Sequence, residues 1–318
     1  MKPNGIGVVV LNWNGHRDTV ACLESLVAAA PAPPSVVVVD NGSTDDSLDV
    51  LRRWEARHVA SGAAPRVTVL ASPSNRGFSA GTNLGLARLA ADPVIAHFLL
   101  LNNDATVDSR FFGEVARALE AVPDAGIIGP TIYVTGRPGE VWYAGGHFVR
   151  LRSLAIHELT VPERAAPVPT EFVTGCAMII SRRAWETLGP LPECYFIYLE
   201  DAEYSWRAHA AGLPVLYAPR AIVHHAVGGT VRRQWADPRV AYVQTRNRAL
   251  FVRRNFRGWA RWGALAYLVV TKPGRALLEA LRGRPALGWA FLRGAADGLL
   301  SKDGGRASAM PPAGPRSR

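Results

Sequence analysis

Ala96-His97-Phe98-Leu99-Leu100-Leu101-Asn102-Asn103-Asp104-Ala105 is the stretch whose reading decides the fold. A strand that is apolar without alternation is buried on both faces, as in a parallel sheet covered by helices. Its abrupt change to amide and carboxylate side chains marks the carboxyl edge, where such sheets hold their ligands. A second acidic group, Tyr198-Leu199-Glu200-Asp201, follows about a hundred residues on. Together the two suggest a site for a metal-bound diphosphate and a catalytic base.

Outward from that strand, apolar runs alternate with helical stretches. Strands are expected at Ile6–Leu11, Ser35–Val39, Val67–Leu70 and Phe98–Leu101, and helices at His16–Ala30, Asp46–His58 and Ser79–Ala90, the last from its Leu84, Leu86 and Leu89 spacing. Asp40-Asn41-Gly42-Ser43-Thr44-Asp45 reads as a turn leading into a helix cap. This βαβα order predicts a doubly wound α/β half with a nucleotide-sized crevice at its strand ends. From Phe111 the pattern is mixed. A helix is expected at Phe111–Ala121, strands around Gly126–Val134 and Phe172–Ile180, and a helix at Asp201–Ala211, with Pro162–Pro169 as the expected mobile loop. Such a half beside a nucleotide half holds a second substrate.

At 318 residues the chain can bury one large core or two modest ones. Its net charge of +10 is uneven: Val231 to Arg318 carry 18 Lys+Arg against 4 Asp+Glu, a balance of +14, which leaves −4 for the body. A basic tail points to an anionic partner. A nucleic-acid-binding protein would explain the tail but not the acidic clusters, so no nucleic acid is expected. Cys22, Cys176 and Cys194 form no close pair and no metal spacing, as in reduced thiols of a cytoplasmic protein. The apolar run Ile6–Leu11 is too short for a signal-peptide core. No window reaches the length of a membrane span, the nearest approach, Trp259 to Val270, being broken by Arg261 and closed by Lys272-Pro273.

Seven segments occur in an order that resembles the inverting glycosyltransferases of family 2, which have the GT-A fold, and within them the bacterial rhamnosyltransferase-like branch. They are Val8–Asn14, Val39–Ser43, Asn75–Gly85, Leu101–Asp104, Phe172–Met178, Glu200–Arg207 and Pro219–His225. The resemblance implies a Rossmann-like nucleotide-binding half joined to a mixed-sheet acceptor half. The expected boundaries are 1–230 for the catalytic domain (1–110 for the nucleotide-sugar half, 111–230 for the acceptor and base half), 231–300 for a basic helical extension and 301–318 for a disordered tail.

Sugar transfer from a nucleotide diphosphate needs charge stabilisation on the departing diphosphate, a base for the acceptor hydroxyl and a slot for the nucleoside. By the resemblance, Asp40 accepts hydrogen bonds from the nucleobase or ribose, with Asn12 and Asn14 beside it. An Asx turn, the plainer role for such an Asp, is better fitted by Ser43, Thr44 or Asp45. Asn102-Asn103-Asp104 stands where the family has Asp-x-Asp. The first Asp is Asn here, so Asn102 suits a ribose contact, Asn103 flanks it, and Asp104 is the main anionic ligand of Mg²⁺ or Mn²⁺. The family's second metal ligand falls on His225, with His224 adjacent; on a strand the two point to opposite faces, so only one meets the ion.

Asp201 is the catalytic base by the same match, with Glu200 positioning it or binding the acceptor. Both open a helix, where the dipole favours carboxylates and predicts low pKa values. Trp206 and Arg207 are expected beneath the site. Gly77, Gly81 and Gly85, four apart, suit a helix lying close to the sheet, with Arg76 and Asn83 either near the donor or in packing. Gly175 suits close approach of the donor sugar.

In the tail, Tyr242–Arg248 resembles the segment that follows the core in rhamnosyltransferase-like relatives, and its arginines suit the diphosphate of a lipid-linked acceptor. Beyond it, Trp259, Trp262, Trp289, Tyr267 and several Leu interleave with basic residues, the composition of helices in a bilayer interface; the alternative is packing on the catalytic domain. The expected protein is a metal-dependent transferase on the inner face of the plasma membrane, with dTDP-rhamnose as donor and a cell-envelope or polysaccharide hydroxyl as acceptor. UDP-galactofuranose or another UDP-sugar is the alternative donor. A sugar-phosphate nucleotidyltransferase, the alternative enzyme, would need a Gly-rich Arg/Lys signature where this chain has Asn12-Trp13-Asn14-Gly15.

Overall fold

The structure, a computed structural model, describes residues 5–226 and 237–300. The expected boundary at 230/231 and the tail 301–318 lie outside the described residues. Among the described residues ten strands form one sheet. β1 (Ile6–Asn12), β2 (Ser35–Asp40), β3 (Arg66–Ala71) and β4 (His97–Asn102) lie parallel in the order β3-β2-β1-β4. β11 (Ala177–Ser181) joins antiparallel to β4 and leads to β6 (Ile127–Val134) and β12 (Val215–His225). β5 (Ala105–Val107), β7 (Val141–Tyr143) and β10 (Val168–Pro169) add short edges, and β8 (Gly146–Val149) pairs with β9 (Leu154–His157) apart from the sheet. Val168 and Pro169, placed in a mobile loop by the sequence reading, are thus paired to Tyr217 and Leu216.

The apolar strands behave as a sheet covered on both faces. Val8, Val10, Val36, Val38, Leu99 and Leu101 enter one core, and Val9, Val37, Val39, Phe98 and Leu100 the other. Helices α1 (His16–Ala28), α2 (Ser47–Ser61) and α4 (Phe111–Ala121) cover the first face and α3 (Phe78–Ala90) the second. Gly81 and Gly85 let α3 lie against the strands, since a Cβ at either would stand 2.5 Å from Leu11 or Val9. Gly42, at φ 70°, closes the turn after β2 where a Cβ would stand 2.4 Å from Ser74. The reversal of strand order between β1 and β4 puts Asn12 and Asn102 at a topological switch point.

One segment differs from expectation. Of Phe172–Ile180 only Ala177 onward is strand; residues 172–176 form an open turn in the cleft. Lys272-Pro273, which closes the apolar window Trp259 to Val270, lies inside α8 (Gly258–Leu281), where Pro273 removes one N–H from the ladder without ending the helix. The remaining helices are α5 (Arg182–Leu188), α6 (Glu200–Ala210), α7 (Pro238–Asn255) and α9 (Pro285–Leu300). Asp237 caps α7 by accepting the N–H of Arg239, with Pro238 in its first turn. Leu250, Phe251, Val252 and Phe256 then pack with Cys194 and Tyr195, so α7 is fastened to the catalytic body.

Candidate active site

A cleft of about 1500 Å³ runs from the carboxyl edge of β4 to the terminal helices, with Asn102, Asp104, Gly175, Asp201 and His225 at one end. β12 pairs with β5 in the register His225 to Ala105, which brings the His225 ring beside Asp104: Nε2 lies 3.1 Å from Oδ1. Trp142 packs against that ring at 4.7 Å between centroids. Burial works against a charged imidazole here, but Cys176 and Asp104 beside it carry its pKa up to about 10. His224 points to the other face and stacks on Tyr133. One carboxylate and one imidazole, the latter after giving up its proton, would suit a divalent cation. Among the described residues the one trio of candidate ligand atoms within 4.8 Å is His16, Asp45 and Asp46, a partly exposed cluster at two helix starts.

Asp201 is half-buried at the start of α6. Its Oδ2 accepts the Gly175 N–H at 2.8 Å and its Oδ1 accepts the Ala202 N–H at 2.8 Å. Gly175 thus anchors Asp201, and a Cβ there would stand 3.4 Å from the Asp201 Cβ. The low pKa values expected from the helix start do not survive burial. Desolvation raises the Asp201 carboxyl despite its backbone hydrogen bonds, and raises Glu200 further, with the Asp201 charge adding to it. Glu200 is buried, and its Oε2 has no hydrogen-bond partner among the described residues. A carboxyl raised toward neutrality is a stronger base than an ordinary one.

The other predicted residues gather along the ends of β1 and β2. Asn12 is fully buried and donates to Asp40 Oδ1 at 2.8 Å and to Ser43 Oγ, while accepting from Thr19 Oγ1. Asp40 itself accepts the Ser43 N–H at 3.1 Å and so closes the turn after β2, while Asp45 accepts the Ser47 N–H at 3.0 Å and makes the Asx turn into α2 that the sequence reading gave to Ser43, Thr44 or Asp45. Asn14, at φ 52°, accepts the Thr44 N–H. Asn103 donates to Thr19 Oγ1 and Gly15 O. Asn102 lines the cleft next to Asp104. Asn83 gives its amide to Leu191 O and Glu193 and accepts the Leu191 N–H, a packing role that fixes the loop before α6. Arg76 lies half-exposed, 3.8 Å from Glu193.

Sequence reasoning missed how that loop is held. Tyr198 and Leu199 both have positive φ, 71° and 74°, immediately before the two carboxylates. Such backbone costs on the order of 1–3 kcal/mol per residue and persists only when its surroundings fix it. Asn247, fully buried on α7, supplies the fixing bonds by donating to Ile197 O at 2.8 Å and Tyr198 O at 3.0 Å. Glu203, one turn past the carboxylates, accepts from Tyr195, Arg254 and Asn255. Trp206 packs on Phe148, Phe251 and Phe256, and Arg207 reaches Leu188 O. An Asn inside an arginine-rich run carries no sequence signal for this role.

Of the tail arginines expected to meet an acceptor, Arg246 is buried, with Nη1 on Asn247 Oδ1 at 3.0 Å and Cys194 O at 3.5 Å. Arg248 lines the cleft and donates to Arg152 O. Sequence comparison matches residues 8–189 to the family described as Glycosyl transferase family 2. An N-acetylglucosaminyl-diphospho-decaprenol L-rhamnosyltransferase of Mycobacterium tuberculosis is 26% identical over 280 residues, covering 80% of this chain and 86% of that protein. A low-salt glycan biosynthesis hexosyltransferase of Haloferax volcanii is 23% identical, covering 66% and 63%. Among solved structures, a Pyrobaculum calidifontis mannosyltransferase in complex with GDP-Man and Mn²⁺ is similar with a TM-score of 0.57 at 17% identity, over 94% of this chain and 88% of that one. S. aureus TarS with UDP-GlcNAc gives 0.54 at 17%, over 92% and 83%.

Proposed function

The chain belongs to glycosyl transferase family 2 and has the GT-A fold, and on that premise we propose that it transfers L-rhamnose from dTDP-rhamnose, with inversion, to a hydroxyl of a polyprenyl-diphosphate-linked N-acetylglucosamine. The observation that carries this reading is one continuous cleft with Asp104, His225 and Asp201 at its sheet end, in a chain similar over 80% of its length to a rhamnosyltransferase acting on such a lipid. Family membership sets aside the nucleotidyltransferase alternative.

Asp104 and His225 would hold the Mn²⁺ or Mg²⁺ ion, which when bound offsets charge on the departing diphosphate. Asn102 faces the donor beside them, and the Asn12, Asn14 and Asp40 network shapes the nucleoside slot with Arg76 at its rim. Asp201 takes the proton of the acceptor hydroxyl at a carboxylate oxygen as the hydroxyl oxygen attacks the anomeric carbon from the face opposite the leaving group. Glu200 positions Asp201 and keeps its surroundings dry. Attack from the opposite face is what inverts the anomeric centre.

No described helix is long and apolar enough to cross a membrane. α8 nonetheless presents Trp259 (92% exposed), Trp262, Val270, Leu277 and Leu281 to solvent beside Arg257 and Arg282. Packing on the body accounts for its other side, Ala264, Leu268 and Ala276. The outer side suits an anionic leaflet on the cytoplasmic face, each basic residue near such a surface contributing about 1 kcal/mol. Incubation of the protein and Mn²⁺ with dTDP-rhamnose, UDP-galactofuranose, UDP-GlcNAc and GDP-mannose, each with a short polyprenyl-diphosphate-GlcNAc, tests the function. Rhamnosylated lipid with inverted configuration is expected; transfer only from another donor, or only to a water-soluble acceptor, contradicts it.

A further inference from the structure

The end of the cleft away from the carboxylates is cationic. Arg152, from the turn after β8, Arg248 on α7, and Lys272 and Arg275 on α8 all line it. Lys272 is 9% exposed, and its ammonium lies 5.1 Å from the Phe291 ring centre, a wall of the same cleft. Among the described residues no acceptor or carboxylate pairs with it. Its charged neighbours are Arg248 and Arg275, and Arg248 in turn neighbours Arg152. Glu279 on the same helix serves Arg275 at 3.0 Å and is shared with Arg282 and Arg284. Burial and the neighbouring guanidiniums push the Lys272 amine down to about 8, and burial lowers Arg248 to about 10. A buried cation without a counter-ion is costly. A dianionic ligand supplied from outside would relieve this crowding.

We propose that Arg248 and Lys272, flanked by Arg152 and Arg275, form a second anion site in the cleft that binds the diphosphate of the lipid-linked acceptor and sets its sugar toward Asp201. The inference rests on the proposed acceptor class. Two phosphates match the charge, planar guanidiniums bind them bidentately, and Tyr267, Leu278 and Phe291 offer an apolar wall for the first isoprene units. The donor diphosphate belongs at the opposite end, with Asp104 and His225.

Calorimetric titration of the full chain with farnesyl diphosphate in metal-free buffer containing EDTA tests the site. Binding is expected in the wild type and in Asp104→Asn, to fall about 10- to 100-fold in Lys272→Met and Arg248→Gln, and to be largely kept in Lys272→Arg. Undiminished binding by Lys272→Met, or loss in Asp104→Asn, overturns the site. So does the case in which phosphatidylglycerol vesicles depend on Lys272 while farnesyl diphosphate does not bind, which would assign these cations to bilayer headgroups. If no lipid-linked sugar accepts a glycosyl group but farnesyl diphosphate binding still depends on Lys272, the proposed function fails and the site stands. If transfer proceeds with an acceptor KM that ignores Lys272, the site fails and the function stands.

Discussion

At the sheet end of the cleft, Asp104, His225 and Asp201 stand on strand and helix termini of one α/β core, each held by backbone pairing or a backbone hydrogen bond. At the far end, Arg152, Arg248, Lys272 and Arg275 come from a turn and two helices, with no shared hydrogen-bonded ladder between them. At the first end burial raises the carboxyls of Glu200 and Asp201 toward neutrality, and at the second burial lowers Lys272 and Arg248. The two ends differ in what positions them: strand pairing sets His225 beside Asp104 and backbone hydrogen bonds set Asp201, while side-chain packing of α7 and α8 sets the basic end.

The largest expected effect tests the acidic end. Asp201→Asn should lower transfer roughly 10²–10⁴-fold, the usual worth of a positioned base, with nucleotide affinity near wild type; product formation at a substantial fraction of the wild-type rate would remove Asp201 from that role. Next comes the metal pair. Asp104→Ala and His225→Ala should each weaken Mn²⁺-dependent nucleotide binding by on the order of tenfold or more, and His224→Ala, whose ring stacks on Tyr133, should do less. The reverse order between the two histidines would move the ligand by one residue.

Asn247 links the two ends. Its replacement by Ala leaves Ile197 O and Tyr198 O unpaired, at about 1–3 kcal/mol, and releases the positive-φ turn before Glu200. Both Tm and kcat should fall, and a variant losing Tm alone would make the contact purely structural. The smallest effects are gains in stability. Glu200 has a folded pKa raised above its usual 4.5, so its contribution is fully present below the usual carboxylate range and is lost as pH rises through the folded value. Lys272 has a folded pKa lowered from 10.5 to about 8, so its contribution is fully present above about 10.5 and is lost as pH falls through about 8. At pH 7 Glu200→Gln and Lys272→Met should each raise Tm by a few degrees. The first gain should vanish in acid and the second in strong base, as melting curves across pH would show.

The same contrast explains what was legible in the sequence. Val-rich strands, the abrupt Leu101-to-Asn102 boundary and the glycines four apart on α3 are local signals, and they carried the α/β half and its polar edge, whereas Asp104 and Asp201 were singled out by the family resemblance. His225 was uncertain by one because sequence gives the alternation of a strand but not its phase; pairing with β5 fixes the phase. The pKa values of Glu200 and Asp201 were misread because a helix start is visible in sequence and burial by α7 is not. Arg246 and Arg248 look equivalent along the chain, yet helical periodicity turns one into the core and the other into the cleft. Lys272 looked like the stop of an apolar segment, and its meeting with Arg248 depends on how α8 packs on α7.

Steady-state kinetics with both substrates varied, in the wild type and in a matched pair of variants, test the central claim that the two ends of one cleft hold different diphosphates. The account predicts that Asp104→Asn raises the KM of the nucleotide donor with little change in that of the lipid-diphosphate acceptor, and that Lys272→Met does the opposite. Both variants raising the same KM would contradict it.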